Sequence, residues 1–339
     1  MRILGIDTSC DDTAAGVVEG DRTVLSSVVA TQHDLHAAFQ GVVPEIASRA
    51  HVERVSVVVR RALADADTRL EDLSAIAVTT RPGLVGSLLV GVAFAKALAW
   101  SRGIPLVDVH HIEAHAIAAR ADHPGLDYPY VCLVASGGHT ALYACRGPRE
   151  IERLGQTQDD AAGECFDKVA VLLGLPQPGG PSVSRLAAEG RPDAVRFPRH
   201  RSAGEGLDFS FSGLKTAVLY YLKGPGGRRD APHRADLPVS LADVAASFER
   251  AAVEALVAPS LRAAAREGAR DLVVGGGVAA NRELRRLLAE RAPPGLAVRF
   301  PRPGLCADNG AMIAMRGAEL FARGHVATLD LDVDPYAGD

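Results

Sequence analysis

The chain has 339 residues, of which 47% are hydrophobic and 23% charged, a balance typical of globular domains and not of disordered chains. This length suits two domains better than a single core. The formal net charge of −4 argues against a protein that binds nucleic acid unaided, because such proteins are usually basic.

The cysteines and the apolar segments bear on the compartment. The 5 cysteines are scattered and form no C-x-x-C pair, which argues against a disulfide framework and predicts a reducing, cytoplasmic location. The N-terminal MRILGIDTS has no signal-peptide pattern. The most apolar stretch, residues 83–100, is interrupted by Ser87 and Lys96. A membrane span needs roughly 20 apolar residues, so this stretch predicts a buried helix and no membrane association.

The first half of the chain predicts three strands followed by alternating helices and strands. The strands are RILGID, AAGVVEG and RTVLSSVVAT, and a helix with one apolar face follows from Pro44 to about Ala66. The strand LSAIAVTT, the apolar helix after Pro82, the strand IPLVDVHH and the helix HIEAHAIAARA complete this half.

The second half repeats this order. Its strands YVCLVAS, ALYACRG and EIERLGQT precede a helix from Asp160 to Leu173. After an insertion come the helix 241–268, the strand DLVVGG, the helix NRELRRLLAERA, the strand LAVRFP and a last helix from Asn309.

Two βββαβαβα halves predict an α/β fold of the duplicated actin, Hsp70 and sugar-kinase type, arranged around a central cleft. The predicted domains are 1–122, 123–323 and a tail, 324–339. Two unrelated α/β domains with coincidental hairpins are the alternative.

Residues 175–240 do not fit the repeat. They are rich in Gly, Pro and Arg and flank one predicted helix, GLKTAVLYYL. The basic residues of this insertion predict either a solvated loop or an RNA contact; they are Arg196, Arg199, His200, Arg201, Arg228 and Arg229.

The segment HHIEAH raises the question of a metal site. His111 and His115 lie about 40° apart on a helix and can share a metal ion, whereas Glu113 lies about 200° from His111. In the H-E-x-x-H motif of zinc proteases the glutamate directly follows the first histidine, so this geometry disfavours a metallopeptidase. For a histidine pair alone, buried core histidines are the default interpretation.

A third ligand is available further along the chain. Asp308 precedes the last predicted helix, where it fits either a helix N-cap or a carboxylate ligand. Two histidines and one aspartate suit Fe(II), Zn or Mn, and ligand type alone does not choose between them.

Two glycine clusters follow predicted strands of the repeat. SGGHT (136–140) joins two strands, and GGGVAAN (275–281) follows the strand DLVV. Each fits a plain turn, and together they predict a nucleotide site whose backbone amides approach phosphate oxygens.

With these motifs assembled, the chain closely resembles the universal tRNA N6-adenosine threonylcarbamoyltransferase family, whose members formerly carried the name O-sialoglycoprotein endopeptidases. The resemblance covers nearly the whole chain and rests on motifs that occur in order: GIDTSCDDT, GGVVPEIASRAH, PGLVGSLLVG, HHIEAH, SGGHT, DDAAGECFDK, PGGP, LDFSFSGLKT, GGGVAANRELR and CADNGAMIA.

The resemblance implies transfer of a threonylcarbamoyl group from threonylcarbamoyl-adenylate to N6 of the adenosine 3′ of the anticodon, in tRNAs that read codons beginning with A. By position it implies one divalent metal per subunit, usually assigned as iron with zinc as an alternative, held by His111, His115 and Asp308. It also implies an adenylate site formed by Val134, Ala135, Ser136, Gly137, Gly138, Asp167, Gly180 and Asn281. The implied partners are tRNA, a smaller degenerate paralogue and a small P-loop ATPase.

Asp11, in the first turn, is the candidate for proton transfer in this reaction. The rival hypotheses are an actin-like ATPase or small-molecule kinase, a metallopeptidase and a non-catalytic scaffold paralogue. Such kinases generally carry Asp-x-Gly-x-Thr where this chain has DTSCDDT, and degenerate paralogues of the family lose the histidine pair that this chain keeps.

Overall fold

The computed structural model describes residues 1–36, 39, 41–198, 206–228 and 230–336. These residues form two compact units. Unit 1 comprises Met1–Asp127 together with Pro301–Asp339, and unit 2 comprises Tyr128–Phe300.

The described residues contain ten strands and ten α-helices. The strands are β1 (Arg2–Asp7), β2 (Asp12–Glu19), β3 (Thr23–Thr31), β4 (Ala75–Arg81), β5 (Leu106–His110), β6 (Tyr130–Ala135), β7 (Thr140–Gly147), β8 (Glu150–Gln156), β9 (Asp271–Gly275) and β10 (Ala297–Arg299). The helices are α1 (His33–His36), α2 (Pro44–Asp65), α3 (Val85–Arg102), α4 (His111–Ile117), α5 (Ala162–Leu173), α6 (Gly179–Ala187), α7 (Ser212–Lys223), α8 (Leu241–Arg266), α9 (Arg282–Arg291) and α10 (Gly310–Phe321). Short 3₁₀ turns lie at Leu70–Asp72, Ala118–Ala121, Gly277–Ala280 and Pro303–Leu305.

Unit 1 is a five-stranded sheet with helices on both faces. Its strand order is β3-β2-β1-β4-β5; β1, β2 and β3 pair antiparallel, and β4 and β5 join in parallel. Alternation along β1 places Leu4 and Ile6 in the core under α2 and α3, and Ile3 in the core under α4 and α10. The sheet therefore holds α4 and α10 together on one face.

Unit 2 repeats this topology. Its strand order is β10-β9-β6-β7-β8, with β6, β7 and β8 antiparallel and β9 and β10 parallel. The three-strand start is thus present twice, followed each time by helices and parallel strands. The predicted fold of the actin, Hsp70 and sugar-kinase type is confirmed.

The structure differs from the prediction in the insertion and in the last helix. The insertion contains a second helix, α6, whose Gly-Gly-Pro start reads as a loop in the sequence. Pro is tolerated in a first helical turn, and the Gly179 N–H is satisfied by the Asp167 carboxylate at 2.7 Å. Helix α10 packs on β1, β2 and β4, so it belongs to unit 1, whereas the predicted ranges assign it to 123–323.

Helix α3 is, among the described residues, the one helix long and apolar enough to cross a membrane. Its buried face, which includes Leu88, Val92 and Ala95, packs on α2 and β4. Core helices pass the same test of length and composition, so a single such helix is weak evidence for a span.

Candidate functional site

Helix α4 carries the two histidines of HHIEAH, His111 and His115, close together on one face. His110 ends β5 and caps the helix, accepting a hydrogen bond from the Ile112 N–H. His111 and His115 are both buried, and their ring centroids lie 4.7 Å apart. The strand-to-helix junction thus fixes both imidazoles in the interior of unit 1.

Asp308, from the C-terminal segment of unit 1, completes this group. Asn309, and not Asp308, is the N-cap of α10, because its Oδ1 accepts from the Met312 N–H at 2.8 Å. The Asp308 carboxylate is therefore left to face the histidines. Its Oδ1 lies 3.0 Å from Nε2 of His115 and 3.4 Å from Nε2 of His111.

The three side chains fit a metal ion. Their ligand atoms all lie within 4.8 Å of one another. Metal–ligand bonds of about 2.1 Å at tetrahedral or octahedral angles place neighbouring ligand atoms roughly 3.0 to 3.4 Å apart, which matches both distances to Asp308. Two imidazole nitrogens and one carboxylate oxygen also form a set that Fe(II), Zn and Mn accept.

Asp7, at the end of β1, lies next to the His111 ring nitrogen that faces away from Asp308. Its Oδ2 lies 3.2 Å from Nδ1 of His111, and the Ser9 N–H donates to its Oδ1. A carboxylate on the far nitrogen is the usual device that orients a metal-binding histidine. Sequence reasoning missed this role, although Asp7 ends the motif GID directly before the turn.

The electrostatics of the group favour a shared positive charge. Burial lowers the pKa of His111, but the charges of Asp7 and Asp308 outweigh it and hold that pKa well above its usual range. Burial raises the pKa of Asp308, but His111 and His115 outweigh it and hold that pKa well below its usual range. Both shifts favour a protonated His111 beside an ionised Asp308.

Glu113 does not join the ligand group. Its Oε2 accepts from Arg316 at 2.6 Å and 3.1 Å. This agrees with the prediction that it faces away from His111, and it removes the water-activating glutamate that a metallopeptidase needs.

The turn between β1 and β2 contributes further carboxylates to unit 1. Asp11 is partly exposed there. His51 on α2 anchors the turn, since its ring nitrogens lie 3.0 Å from the Cys10 carbonyl oxygen and 2.8 Å from the Thr13 hydroxyl. Asp12 follows with a largely buried side chain, whose Oδ1 finds no hydrogen-bond partner among the described residues.

Burial, and then the carboxylates of Asp308, Asp11 and Asp7, raise the pKa of Asp12 from 3.8 to about 7. Between those two values the folded protein keeps a proton that the unfolded chain releases, so this group lowers stability as the pH rises and its cost is constant above pH 7. In the metal-free protein, Asp12→Asn should therefore raise the free energy of unfolding by roughly 2 to 4 kcal/mol at pH 8. The gain should shrink towards pH 4.

Thermal unfolding of metal-free wild type, Asp12→Asn and the exposed-site control Asp34→Asn between pH 4 and 8 measures this effect. A melting temperature for Asp12→Asn that tracks the wild type at every pH would contradict the assignment.

In unit 2, the turn after β6 leaves open space beside its two glycines. The Ser136 N–H donates to the His139 carbonyl at 2.8 Å, which closes the turn. A Cβ placed at Gly137 or Gly138 would meet open space, whereas one at Gly163 would lie 2.6 Å from the Ser136 carbonyl oxygen. The start of α5 thus supports the turn from one side, and the two glycines face the open side.

This closure changes which amides are available. Because the Ser136 N–H already donates to the His139 carbonyl, it is not available to an anion. Val134 and Ala135, at the end of β6, are fully buried and pair with β7. Their side chains support the turn instead of lining it.

The second glycine cluster lies beside the first. Strands β6 and β9 are parallel neighbours, so their carboxyl ends meet at one edge of the sheet. A Cβ at Gly276 would lie 2.3 Å from the Ala135 carbonyl oxygen. The structure therefore brings together the two clusters that the sequence predicts to form one site.

The remaining predicted binding residues have their own partners. Asp167 accepts from the Gly179 N–H and so holds the start of α6, where Gly180 follows with open space at its Cβ position. Asn281 caps α9 through Oδ1, and its Nδ2 donates to Glu249 at 2.7 Å and to Ser184 at 3.2 Å.

Sequence reasoning missed Glu249 and Ser184, both in contact with Asn281. Glu249 lies in the middle of α8, and Ser184 lies on α6, a helix that was not predicted. A carboxylate within an otherwise Ala-rich helix was the one available signal.

Comparison with known proteins identifies the family. The family model for tRNA N6-adenosine threonylcarbamoyltransferase matches residues 23–315. The chain is 52% identical over 339 residues to the tRNA N6-adenosine threonylcarbamoyltransferase of Anaeromyxobacter sp. strain Fw109-5, covering 99% of each chain.

Solved structures with the same fold are much more distant in sequence. HypF of T. kodakarensis superposes with a TM-score of 0.62 at 16% identity, over 96% of this chain and 48% of HypF. The ROK hexokinase of Thermus thermophilus gives a TM-score of 0.50 at 16% identity, over 96% of this chain and 100% of the hexokinase. These likenesses concern the fold alone, whereas the match to the family model and the 52% identity over the full length are specific: the chain belongs to the tRNA N6-adenosine threonylcarbamoyltransferase family.

Proposed function

We propose that this protein transfers the threonylcarbamoyl group of threonylcarbamoyl-adenylate to N6 of the adenosine 3′ of the anticodon, in tRNAs that read codons beginning with A. The observation that carries the proposal is membership of the family, over 23–315 by its model and over the full length by a relative at 52% identity. The His111, His115 and Asp308 group in unit 1 supports it, because these three side chains lie close enough together to hold one metal ion.

The reaction needs little covalent help from the protein. The N6 amine of adenosine is a poor nucleophile, but the mixed anhydride of the donor already carries a good leaving group. The bond from N6 to the carbamoyl carbon forms, the bond from that carbon to the phosphate oxygen breaks, AMP leaves and N6 loses a proton. The protein must therefore hold the donor, withdraw electron density from it and accept the proton.

His111, His115 and Asp308 would hold one divalent metal ion, which we propose to be Fe²⁺, with Zn²⁺ as the alternative. At this position it would supply Lewis acidity and orientation for the donor. Asp7 would keep the His111 ring in the binding orientation.

For the adenylate we propose the residues of unit 2 that the family resemblance implies. The amides of Gly137 and Gly138 suit phosphate oxygens, because they lie on the open side of the turn and no side chain obstructs them. Gly180 lies in the first turn of α6, next to the contact between Asp167 and the Gly179 N–H. The same set includes Val134, Ala135, Ser136 and Asn281, of which the first two would act by supporting the turn from β6.

Asp11 is the proposed proton acceptor, because it is a partly exposed carboxylate in the first turn of unit 1. Asp11→Asn should lower kcat by about 10² to 10⁴, the range of general acid–base catalysis. The KM for the donor and the metal content of the purified protein should stay within a few-fold of wild type. Steady-state transfer assays with Asp34→Asn as the control measure this, and wild-type kcat in Asp11→Asn would assign the proton to another group.

The net charge of −4 favours a composite tRNA surface in the cytoplasm, built with partners. We propose the smaller paralogue and the small P-loop ATPase as those partners, with the basic residues of the insertion contributing to the surface. Of these, Arg196 and Arg228 belong to the described residues, while Arg199, His200, Arg201 and Arg229 lie outside them.

The small molecule released tests the proposal against the kinase alternative. Threonylcarbamoyl transfer releases AMP in step with tRNA modification, whereas a kinase or ATPase releases ADP from ATP. AMP that appears only when both the adenylate and unmodified tRNA are present supports the transferase. ADP formed without tRNA, and no tRNA-dependent AMP, would favour the kinase.

A further inference from the structure

The glutamate of HHIEAH has a partner that the proposed chemistry does not explain. Glu113 lies between the two histidines on α4 but faces Arg316 on α10. Two nitrogens of the Arg316 guanidinium, Nη2 and Nε, donate to the same Glu113 oxygen at 2.6 Å and 3.1 Å. The pair therefore joins the helix that carries both histidines to the helix that begins just after Asp308.

A buried ionic network backs this pair. Nη1 of Arg316 donates to Glu319 at 2.7 Å, and the other oxygen of Glu319 accepts from Nη1 of Arg120 at 2.6 Å. The side chains of Arg316 and Glu319 are only 3% and 2% exposed. Arg120 also donates to the partly exposed Asp21 at 3.3 Å. The two arginines and two glutamates connect α10, α4 and the 3₁₀ turn that follows α4.

Stability alone is a poor explanation for such a network. Removing charges from water costs about as much as their attraction returns, and apolar side chains of similar volume often stabilise a core better. What the ionic contacts add is a fixed register, since each guanidinium donates to its carboxylates only in narrow geometries. Helix α4 has only seven residues and cannot hold that register by itself.

We propose that the Glu113–Arg316 ion pair, backed by Glu319 and Arg120, sets the register of α4 against α10 and thereby the affinity of the His111, His115 and Asp308 group for its metal. Glu113 and Arg316 are positioning residues, because neither belongs to the ligand group and both would act through the helices that carry it. The inference rests on the proposed metal centre and is independent of the acyl acceptor.

The test is Co²⁺ binding by the metal-free full-length protein. Titration gives the Kd, and the visible absorption of bound Co²⁺ reports the geometry of its ligands. The variants are Glu113→Gln, Arg316→Lys and the double variant. Glu254→Gln is the matched control, because Glu254 is a buried glutamate paired with Arg250 and Arg291 in unit 2, remote in sequence from both ligand helices. Melting temperatures are recorded for every protein.

We expect the Kd for Co²⁺ to rise about 10- to 100-fold in each single variant, the loss typical of outer-shell changes at metal sites, with an altered absorption spectrum. Because the two residues act through one contact, the double variant should lose little more than either single variant. Glu254→Gln should keep the wild-type Kd even where its melting temperature falls.

A Kd within twofold of wild type in both single variants, with lower melting temperatures, would overturn the inference and leave a purely structural network. If Glu113→Gln does not fold, Arg316→Lys alone tests the inference. It keeps the positive charge but loses the paired guanidinium donors that contact Glu113. Wild type that binds no Co²⁺ would overturn the inference together with the metal centre. Intact Co²⁺ binding without tRNA modification would instead count against the proposed function only.

Discussion

His115→Ala is expected to empty the metal site and to reduce threonylcarbamoyl transfer at least about a hundredfold, since Lewis-acid assistance is worth several kcal/mol and each 1.36 kcal/mol is tenfold in rate. The side chain is fully buried, and its Nε2 lies 3.0 Å from Asp308. Without it, His111 and Asp308 remain as two ligands, too few for tight binding of a divalent ion. Elemental analysis of the purified protein and transfer assays measure both losses.

Two further variants separate this effect from misfolding. Asp308→Asn keeps the shape of the carboxylate but removes its charge, and should lose metal in the same way. His33→Ala, at an exposed histidine of α1, should keep both metal and activity. Full transfer activity in folded, metal-free His115→Ala would remove the metal from the mechanism.

Gly310→Ala is expected to cost on the order of 3 kcal/mol or more in stability, or to prevent folding. The added Cβ would lie 2.2 Å from the carbonyl carbon of Ala15 and 2.3 Å from the amide nitrogen of Gly16. Both are backbone atoms in the middle of β2, so neither can rotate away. The same close contact involves Gly5, where a Cβ would lie 2.2 Å from the Gly310 carbonyl oxygen.

Gly213→Ala is the matched control for this prediction. Gly213 lies in α7, and a Cβ there would meet open space. Alanine is the better helix former by about 1 kcal/mol, so this variant should be as stable as wild type or slightly more so. Chemical denaturation of both variants gives the comparison, and wild-type stability in Gly310→Ala would show that α10 can shift on the sheet.

The contact at Gly310 also concerns the metal centre. Asp308 lies two residues before Gly310, and Asn309 between them caps the helix. Seating α10 directly on the β1 and β2 backbone therefore fixes where the carboxylate stands relative to α4. A folded Gly310→Ala protein should bind its metal more weakly for this reason.

The sequence predicted the strands and long helices well, because their signals are local. The short apolar run of β1 and the helical spacing in Pro44–Asp65 follow from the side chains that each element buries, and the structure has both elements within a residue or two of the prediction. The start of α5 was predicted at Asp160 and lies at Ala162, because Asp160 instead pairs with Lys168 and Lys215.

What the sequence could not predict depends on contacts between distant segments. Helix α6 begins with poor helix formers and needs the Asp167 carboxylate from α5. For Asp308 the sequence allows a helix N-cap or a metal ligand, and the position of the Asn309 side chain excludes the N-cap. The raised pKa of Asp12 arises from burial and from three other carboxylates, which lie together only in the folded chain.

The most direct test of the proposed function is mass spectrometry of the nucleosides of unmodified tRNA, after incubation with threonylcarbamoyl-adenylate, this protein and the proposed partners. We predict threonylcarbamoyladenosine in tRNAs that read codons beginning with A, and none when this protein is omitted. Unmodified adenosine in the complete reaction, with a relative from the same family active under the same conditions, would contradict the proposal.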